Sequence, residues 1–156
     1  MILLFIYLLA MVCWLGSIIF FSFFTAPAVF GGLPIAEAGK VVAIIFPRYY
    51  MLGYIAGAIA FVVAIYMMAA TSGARGWWAG AAIAIAIALG CTLYAGTVVR
   101  PRVDQIRSVA EEQTPDPARK AEFDRLHQLS VILNGAALLL DLFALFSTAA
   151  ALAPRG

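Results

Sequence analysis

Long apolar stretches alternate with short polar ones along the chain, and four of the apolar stretches dominate the pattern. They cover about residues 2–24, 49–70, 77–99 and 129–152. Each is longer than the roughly 20 residues that a helix needs to cross a hydrocarbon core about 30 Å thick. Because lipid offers the backbone no hydrogen-bond partners, such spans fold as helices. The pattern predicts an all-α integral membrane protein, a four-helix bundle that forms one domain over residues 1–156.

A shorter amphipathic segment, residues 35–46, follows the first span. Glu37 and Lys40 share a helical face, and the opposite face is apolar, as in helices that lie along a membrane surface. Pro34 suits the first turn of such a helix, and Pro47 suits the first turn of the next one. We therefore expect a short interfacial helix between the first span and a second span that Pro47 opens.

The polar region between the third and fourth spans is predicted to form a helical hairpin. Pro101 removes a backbone donor and is expected to kink or end the third helix. Apolar residues recur at helical spacing on both sides of a turn at 114–117, and Asp116 before Pro117 is a typical helix start. The sequence predicts an antiparallel hairpin that projects into the cytoplasm and continues into the fourth span.

Composition supports the membrane interpretation. Hydrophobic residues make up 65% of the chain and charged residues 12%, whereas soluble domains carry about 25% charged residues. The lipid bilayer is therefore the first expected partner. Between residues 100 and 128 the basic and acidic side chains balance, which argues against a basic surface for nucleic acid or anionic lipid headgroups.

The distribution of Lys and Arg predicts the orientation, because cytoplasmic loops are enriched in them. The first and third connections lie on one side of a four-span bundle, and they hold most of the basic residues. These are Lys40, Arg48, Arg100, Arg102, Arg107, Arg119, Lys120 and Arg125, against Arg75 and Arg155 on the opposite side. We expect both termini outside the cytoplasm, in a plasma membrane of the bacterial inner-membrane type.

The fourth span carries polar residues at regular spacing. His127, Asn134 and Asp141 are separated by seven residues each, so a helix drifts by only about 20° per step and keeps all three on one face. A polar face inside a lipid-embedded helix must meet protein or water rather than lipid tails. We call these three residues the polar stripe and expect the other helices to pack against it.

Candidate binding residues follow from the depth of each position, at about 1.5 Å per helical residue. The expected layers are a basic and aromatic entrance at the cytoplasmic boundary, an uncharged middle about 10 Å deeper, and one acid about 20 Å deep. They comprise Arg48, Tyr49, Arg100 and His127, then Asn134, then Asp141. Ser17, Tyr54 and either Thr92 or Tyr94 are expected near Asn134, and Tyr66 near Asp141.

Asp141 has two possible roles. A lone carboxylate at this depth costs at least about 2.5 kcal/mol, so we expect it to be protonated, hydrated or paired. It can act in a proton or cation relay, or it can be a protonated acid that bonds a neighbouring helix or a second subunit. The sequence leaves both open.

Metal and cofactor binding stay unassigned by the sequence. His127 could ligate a metal, bind an anion or carry protons, although an interfacial histidine is more often a hydrogen-bonded packing residue. It is the one histidine in the chain, which excludes a bis-histidine haem within one chain. Met11, Cys13 and Cys91 offer soft ligands near the middle of the membrane, but no CxxC or HxxxH spacing accompanies them.

Two runs of the sequence resemble a known membrane family. The first includes Gly16, Phe20, Phe24, Pro27, Phe30, Ala38–Gly39–Lys40 and Ile45–Phe46–Pro47–Arg48–Tyr49–Tyr50. The second comprises Phe123, Leu126, His127, Ser130, Leu133 and Asn134. On these residues the chain is similar to the small four-helix family that includes human transmembrane protein 205.

That resemblance implies membrane export or trafficking, because the human member is linked to resistance to platinum drugs. It marks Pro27, Pro47, Arg48, Tyr49, His127 and Asn134 as positions of the family pattern, and Asp141 has no counterpart in it.

Three functions are compatible with these residues. The leading hypothesis is a non-enzymatic membrane protein that binds or passes a small solute or metal ion along the polar stripe. A homo-oligomer is expected, because four helices enclose little volume. The alternatives are a membrane redox or haem-handling enzyme that acts as an oligomer, and an interaction module that uses the hairpin.

Overall fold

A computed structural model describes residues 1–112 and 116–153, without the side chains of residues 108–112. Its described residues form helices and no strands, which confirms the predicted all-α class. The helices are α1 (Ile2–Gly32), α2 (Ile35–Ala70), α3 (Arg75–Tyr94, continued by Ala95–Val99 and Arg100–Glu112) and α4 (Pro117–Leu152). All four are long and apolar enough to cross a membrane.

The four helices form a closed antiparallel bundle. Each helix contacts its neighbour in the chain, and α1 contacts α4 to close the ring. Tyr7, Trp14 and Trp78 are among the largest fully buried side chains. The rings of Tyr7 and Trp78 meet edge to face with 5.5 Å between their centroids, a favourable aromatic geometry. The aromatic core therefore joins α1 directly to α3.

Two glycines of α2 make room for the largest core side chain. A Cβ at Gly57 would lie 2.8 Å from Cζ3 of Trp14, and one at Gly53 would lie 3.1 Å from its Nε1. Their GxxxG spacing favours close approach between membrane helices. Here the motif seats the indole of α1 against α2.

The helices continue through prolines at which the sequence predicts a helix boundary. The first helix continues past residue 24 to Gly32, and residues 35–46 run without interruption through Pro47 into the second span. The prediction of a separate interfacial helix is therefore wrong in its boundary. Membrane helices tolerate proline because neighbouring helices and local changes of helical geometry satisfy the freed backbone groups.

Two of the interior prolines follow π-helical turns. The turn Phe21–Thr25 extends to two residues before Pro27, and the turn Ala95–Val99 ends two residues before Pro101. A π-helical turn shifts the backbone hydrogen-bond pattern locally, so it accommodates a residue that has no N–H to donate. The third helix therefore continues through Pro101 to Glu112 instead of ending there.

The predicted hairpin between the last two spans is present in the described residues. Asp116 caps α4 by accepting a hydrogen bond from the backbone N–H of Ala118 at 3.0 Å. Arg107 of α3 donates to the carbonyl oxygen of Gly39 in α2 at 2.6 Å, and its guanidinium lies 5.9 Å from the ring centroid of Phe123 in α4. One arginine thus ties the hairpin to the start of α2. Residues 114 and 115 of the predicted turn lie outside the described residues.

Candidate functional site

The polar stripe of α4 faces the interior of the bundle at its two deeper positions. Asp141 is completely buried and Asn134 is half-buried, so the expected shielding from lipid is present within one chain. Thr148, seven residues beyond Asp141, is also buried. The same helical face therefore stays polar for one further step of seven residues.

Asn134 connects three helices by hydrogen bonds. The phenolic hydroxyl of Tyr49 in α2 donates to its Oδ1, and its Nδ2 donates to Oγ of Ser22 in α1 at 2.8 Å. The sequence instead predicts Tyr49 at the boundary, with Ser17 and Tyr54 as neighbours of Asn134. Tyr49 reaches deeper than its backbone position indicates, because its hydroxyl lies at the end of a long ring.

A second hydrogen bond joins α1 to the far end of the polar face. The hydroxyls of Tyr7 and Thr148 are 2.7 Å apart. The Thr148 hydroxyl also donates to the carbonyl oxygen of Ala144 at 2.8 Å. A hydroxyl has one hydrogen to donate, so Tyr7 is the donor in the bond between the helices.

Sequence reasoning missed three members of this network, namely Tyr7, Ser22 and Thr148. The seven-residue spacing could have found Thr148 had the stripe been extended by one step. No periodic pattern distinguishes Tyr7 or Ser22 within the apolar first span.

Asp141 lies between these two connections. Neither of its carboxylate oxygens has a hydrogen-bond partner among the described residues. The phenol groups of Tyr7 and Tyr49 are close enough to Asp141 to interact with its charge. Tyr66, the neighbour predicted from depth, has 55% of its surface exposed, and that prediction is wrong. A buried acid without partners is costly in its ionised form, so it favours an added proton or cation.

The residues predicted to form a cytoplasmic entrance do not come together at one site. Arg48 is exposed and donates to the carbonyl oxygen of Ile44 at 3.2 Å. Arg100 lies on α3 with its Nε 3.4 Å from a carboxylate oxygen of Asp104. His127 is exposed on α4. Of the four entrance residues, only Tyr49 joins the hydrogen-bonded network around the stripe.

His127 takes part in a different contact, at the base of the hairpin. Its ring stacks on that of Phe123, one helical turn earlier, with 6.2 Å between centroids and parallel planes. Phe123 also lies against the guanidinium of Arg107. The histidine therefore continues the contact that holds the hairpin, and it stands apart from the buried part of the stripe.

The soft side chains considered as metal ligands point in different directions. Cys13 is exposed on the surface of α1, whereas Met11 is buried in the core. Both cysteines are free thiols. In the part of the chain that the structure describes, no group of three His, Cys, Asp or Glu side chains could hold a metal ion.

Comparison with known proteins identifies the chain by family. No curated protein and no solved structure matches it. The model of one family, described as a domain of unknown function (DUF4149), matches residues 9–112. That region contains Arg48, Tyr49 and Arg100, whereas the polar stripe lies beyond it. Because the match covers more than half of the chain, the protein belongs to the DUF4149 family.

Proposed function

We propose that this multi-pass membrane protein binds a small cation at Asp141 and passes it along the polar face of α4. The proposal rests on the burial of the Asp141 carboxylate and on its lack of hydrogen-bond donors. The carboxylate is completely buried, and no described side chain or backbone group donates a hydrogen bond to it. The charge of such a group has to be neutralised or solvated, because a bare ion inside a membrane protein is strongly disfavoured.

The polar groups around Asp141 support a pathway rather than an isolated acid. Asn134 lies seven residues before it and Thr148 seven residues after it, about 10 Å away in each direction along the helix. Each is hydrogen-bonded to a tyrosine, Tyr49 and Tyr7 respectively. Hydroxyl groups both donate and accept hydrogen bonds, so they can pass a proton to water molecules that bridge the distances of about 10 Å to Asp141.

A proton fits this site better than a metal ion does. Metal ions that prefer oxygen ligands take several of them, carboxylates among the foremost, and among the described residues Asp141 belongs to no group of three His, Cys, Asp or Glu side chains. A proton needs one carboxylate oxygen. We therefore take the proton as the cation of first choice, and the test separates it from a metal ion.

Infrared spectroscopy of the purified protein in lipid tests the proposal. The wild-type protein should show the C=O band of a protonated carboxylic acid near neutral pH, and the band should disappear in Asp141→Asn. The matched control is Asp124→Asn, which removes an exposed carboxylate of α4 and should leave the band unchanged. Titration with Na⁺ or Mg²⁺ that removes the band would identify a metal ion as the cation.

A spectrum without a protonated acid near neutral pH, and without a response to these ions, would overturn the proposal. So would a band that survives in Asp141→Asn. Circular dichroism of each variant verifies that its helices are intact, so that a missing band is not the result of unfolding.

Other hypotheses from the sequence stay predictions. The family match does not connect the chain with transmembrane protein 205, so drug export rests on the resemblance alone. The orientation of the termini, the homo-oligomer, and the redox and interaction alternatives also stay predictions. Native mass spectrometry would test the oligomer and any bound cofactor in one measurement.

A further inference from the structure

An open groove of about 420 Å³ runs along the surface of the bundle between α1 and α2. This volume lies within the range of about 300–1,000 Å³ that is typical of small-molecule sites. Six of the residues that line it define its chemistry: Phe20, Phe21, Ile44, Ile45, Arg48 and Leu52. We call it the α1–α2 groove.

The floor of the groove is aromatic. The ring of Phe21 lies 5.2 Å from that of Phe46 and 5.1 Å from that of Tyr49, measured between centroids. Phe21 begins the π-helical turn of α1, and Thr25 at the end of that turn also lines the groove. The locally wider helix thus forms one wall of the groove.

Polar groups of the groove are few, and two of its hydroxyls already have hydrogen-bond partners. The hydroxyl of Ser17 donates to the carbonyl oxygen of Trp14 at 2.7 Å, and the hydroxyl of Tyr49 donates to Asn134. Arg48 differs from them. One of its five N–H groups points to the carbonyl oxygen of Ile44, and no described carboxylate pairs with it. An exposed arginine with free donors therefore stands beside an apolar groove.

We propose that the α1–α2 groove binds an anionic phospholipid, with an acyl chain against the apolar walls and the phosphate on Arg48. The charge of the arginine and the position of the groove carry this proposal. The groove opens on the outer surface of two membrane-spanning helices, where lipid chains are the surrounding solvent. Basic positions between membrane helices select anionic headgroups, and the guanidinium matches phosphate in a two-pronged hydrogen bond.

Binding at this lipid site can be tested separately from the cation pathway, since the groove lies on the lipid-facing surface of the bundle and does not involve Asp141. One residue belongs to both. The ring of Tyr49 lines the groove, while its hydroxyl bonds Asn134 in the interior. Lipid binding can therefore be measured whether or not the protein carries a cation.

Native mass spectrometry of the full-length protein provides the test, with phosphatidylglycerol and phosphatidylcholine of identical acyl chains as probes. The wild-type protein should bind phosphatidylglycerol more tightly. Arg48→Gln should weaken that binding about fivefold, which corresponds to about 1 kcal/mol per basic residue at an anionic surface. It should weaken phosphatidylcholine binding less, because the choline already neutralises that phosphate, so the preference for phosphatidylglycerol should shrink. Arg102→Gln removes another exposed arginine, outside the groove, and should keep the wild-type preference.

A second variant tests the groove itself. Leu52→Trp should fill it and reduce the binding of both lipids. Equal binding of the two lipids by the wild-type protein, an equal loss in Arg48→Gln and Arg102→Gln, or full lipid binding by Leu52→Trp would each overturn the proposal. Circular dichroism confirms that each variant is folded before its lipid binding is compared.

Discussion

Tyr7 near the start of α1 donates a 2.7 Å hydrogen bond to Thr148 near the end of α4. At the other end of the same helix pair, Ser22 accepts from Asn134 at 2.8 Å. Along α4 these two bonds are about 21 Å apart, at 1.5 Å per residue, and Asp141 lies midway between them. The polar face of α4 is thus fixed against α1 on both sides of the buried acid.

The bond between Tyr7 and Thr148 should contribute measurably to stability. A double-mutant cycle of Tyr7→Phe and Thr148→Val should give a coupling energy of about 0.6 kcal/mol, with an upper limit of about 1.7 kcal/mol for such bonds in membrane proteins. Reversible unfolding in mixed detergent micelles measures it. Tyr66→Phe alters an exposed phenol of α2 and should change the free energy of unfolding by less. A coupling energy of zero would mean that the two hydroxyls do not interact.

Gly57 should tolerate no side chain. A Cβ there would come within 2.8 Å of the Trp14 ring and 2.9 Å of the Leu89 side chain, so Gly57→Ala should lower the free energy of unfolding by about 1–3 kcal/mol through overpacking. Gly90 is exposed, and a Cβ added to it would meet no atom within 4 Å. Gly90→Ala should therefore stabilise its helix by about 0.5–1 kcal/mol. Thermal unfolding of both variants in one detergent measures these changes. Equal changes in the free energy of unfolding would contradict this packing.

Arg107 should hold the hairpin between α3 and α4 against the bundle. Arg107→Gln removes the charged donor to the Gly39 carbonyl and the contact with Phe123. A hydrogen bond from a charged group contributes about 1.5–3 kcal/mol, so amide exchange in the first turns of α4 should accelerate at least tenfold. Hydrogen–deuterium exchange with mass spectrometry measures this rate. Arg102→Gln, on the same segment but exposed, should leave the rate unchanged, and acceleration in both variants would argue against a specific contact.

The features of the fold and of the candidate site that the sequence predicts are those that the membrane constrains most strongly. Four spans and the inward face of Asp141 are dictated by length and by the seven-residue spacing, since no other arrangement satisfies the backbone and the acid in lipid. The partners of that face depend on where long side chains end. The depth per residue locates only the backbone, so it places Tyr49 at the boundary with His127, whereas the Tyr49 hydroxyl bonds Asn134.

Proline positions show a second limit of sequence reasoning. The local pattern predicts that Pro47 begins a helix and that Pro101 kinks or ends one, as prolines do in water. In the bundle the helices continue, with π-helical turns before Pro27 and Pro101. A local pattern cannot reveal this outcome, because it depends on neighbouring helices that hold the chain in helical form.

Asp141 is the residue that we propose carries a cation through the interior of the bundle. Proton flux into vesicles that contain the purified protein, driven by an imposed membrane potential and followed with a pH-sensitive dye, tests this proposal most directly. The wild-type protein and Asp124→Asn should both conduct above the rate of protein-free vesicles, and Asp141→Asn should fall to that rate. Flux through Asp141→Asn equal to that of the wild-type protein would contradict the claim.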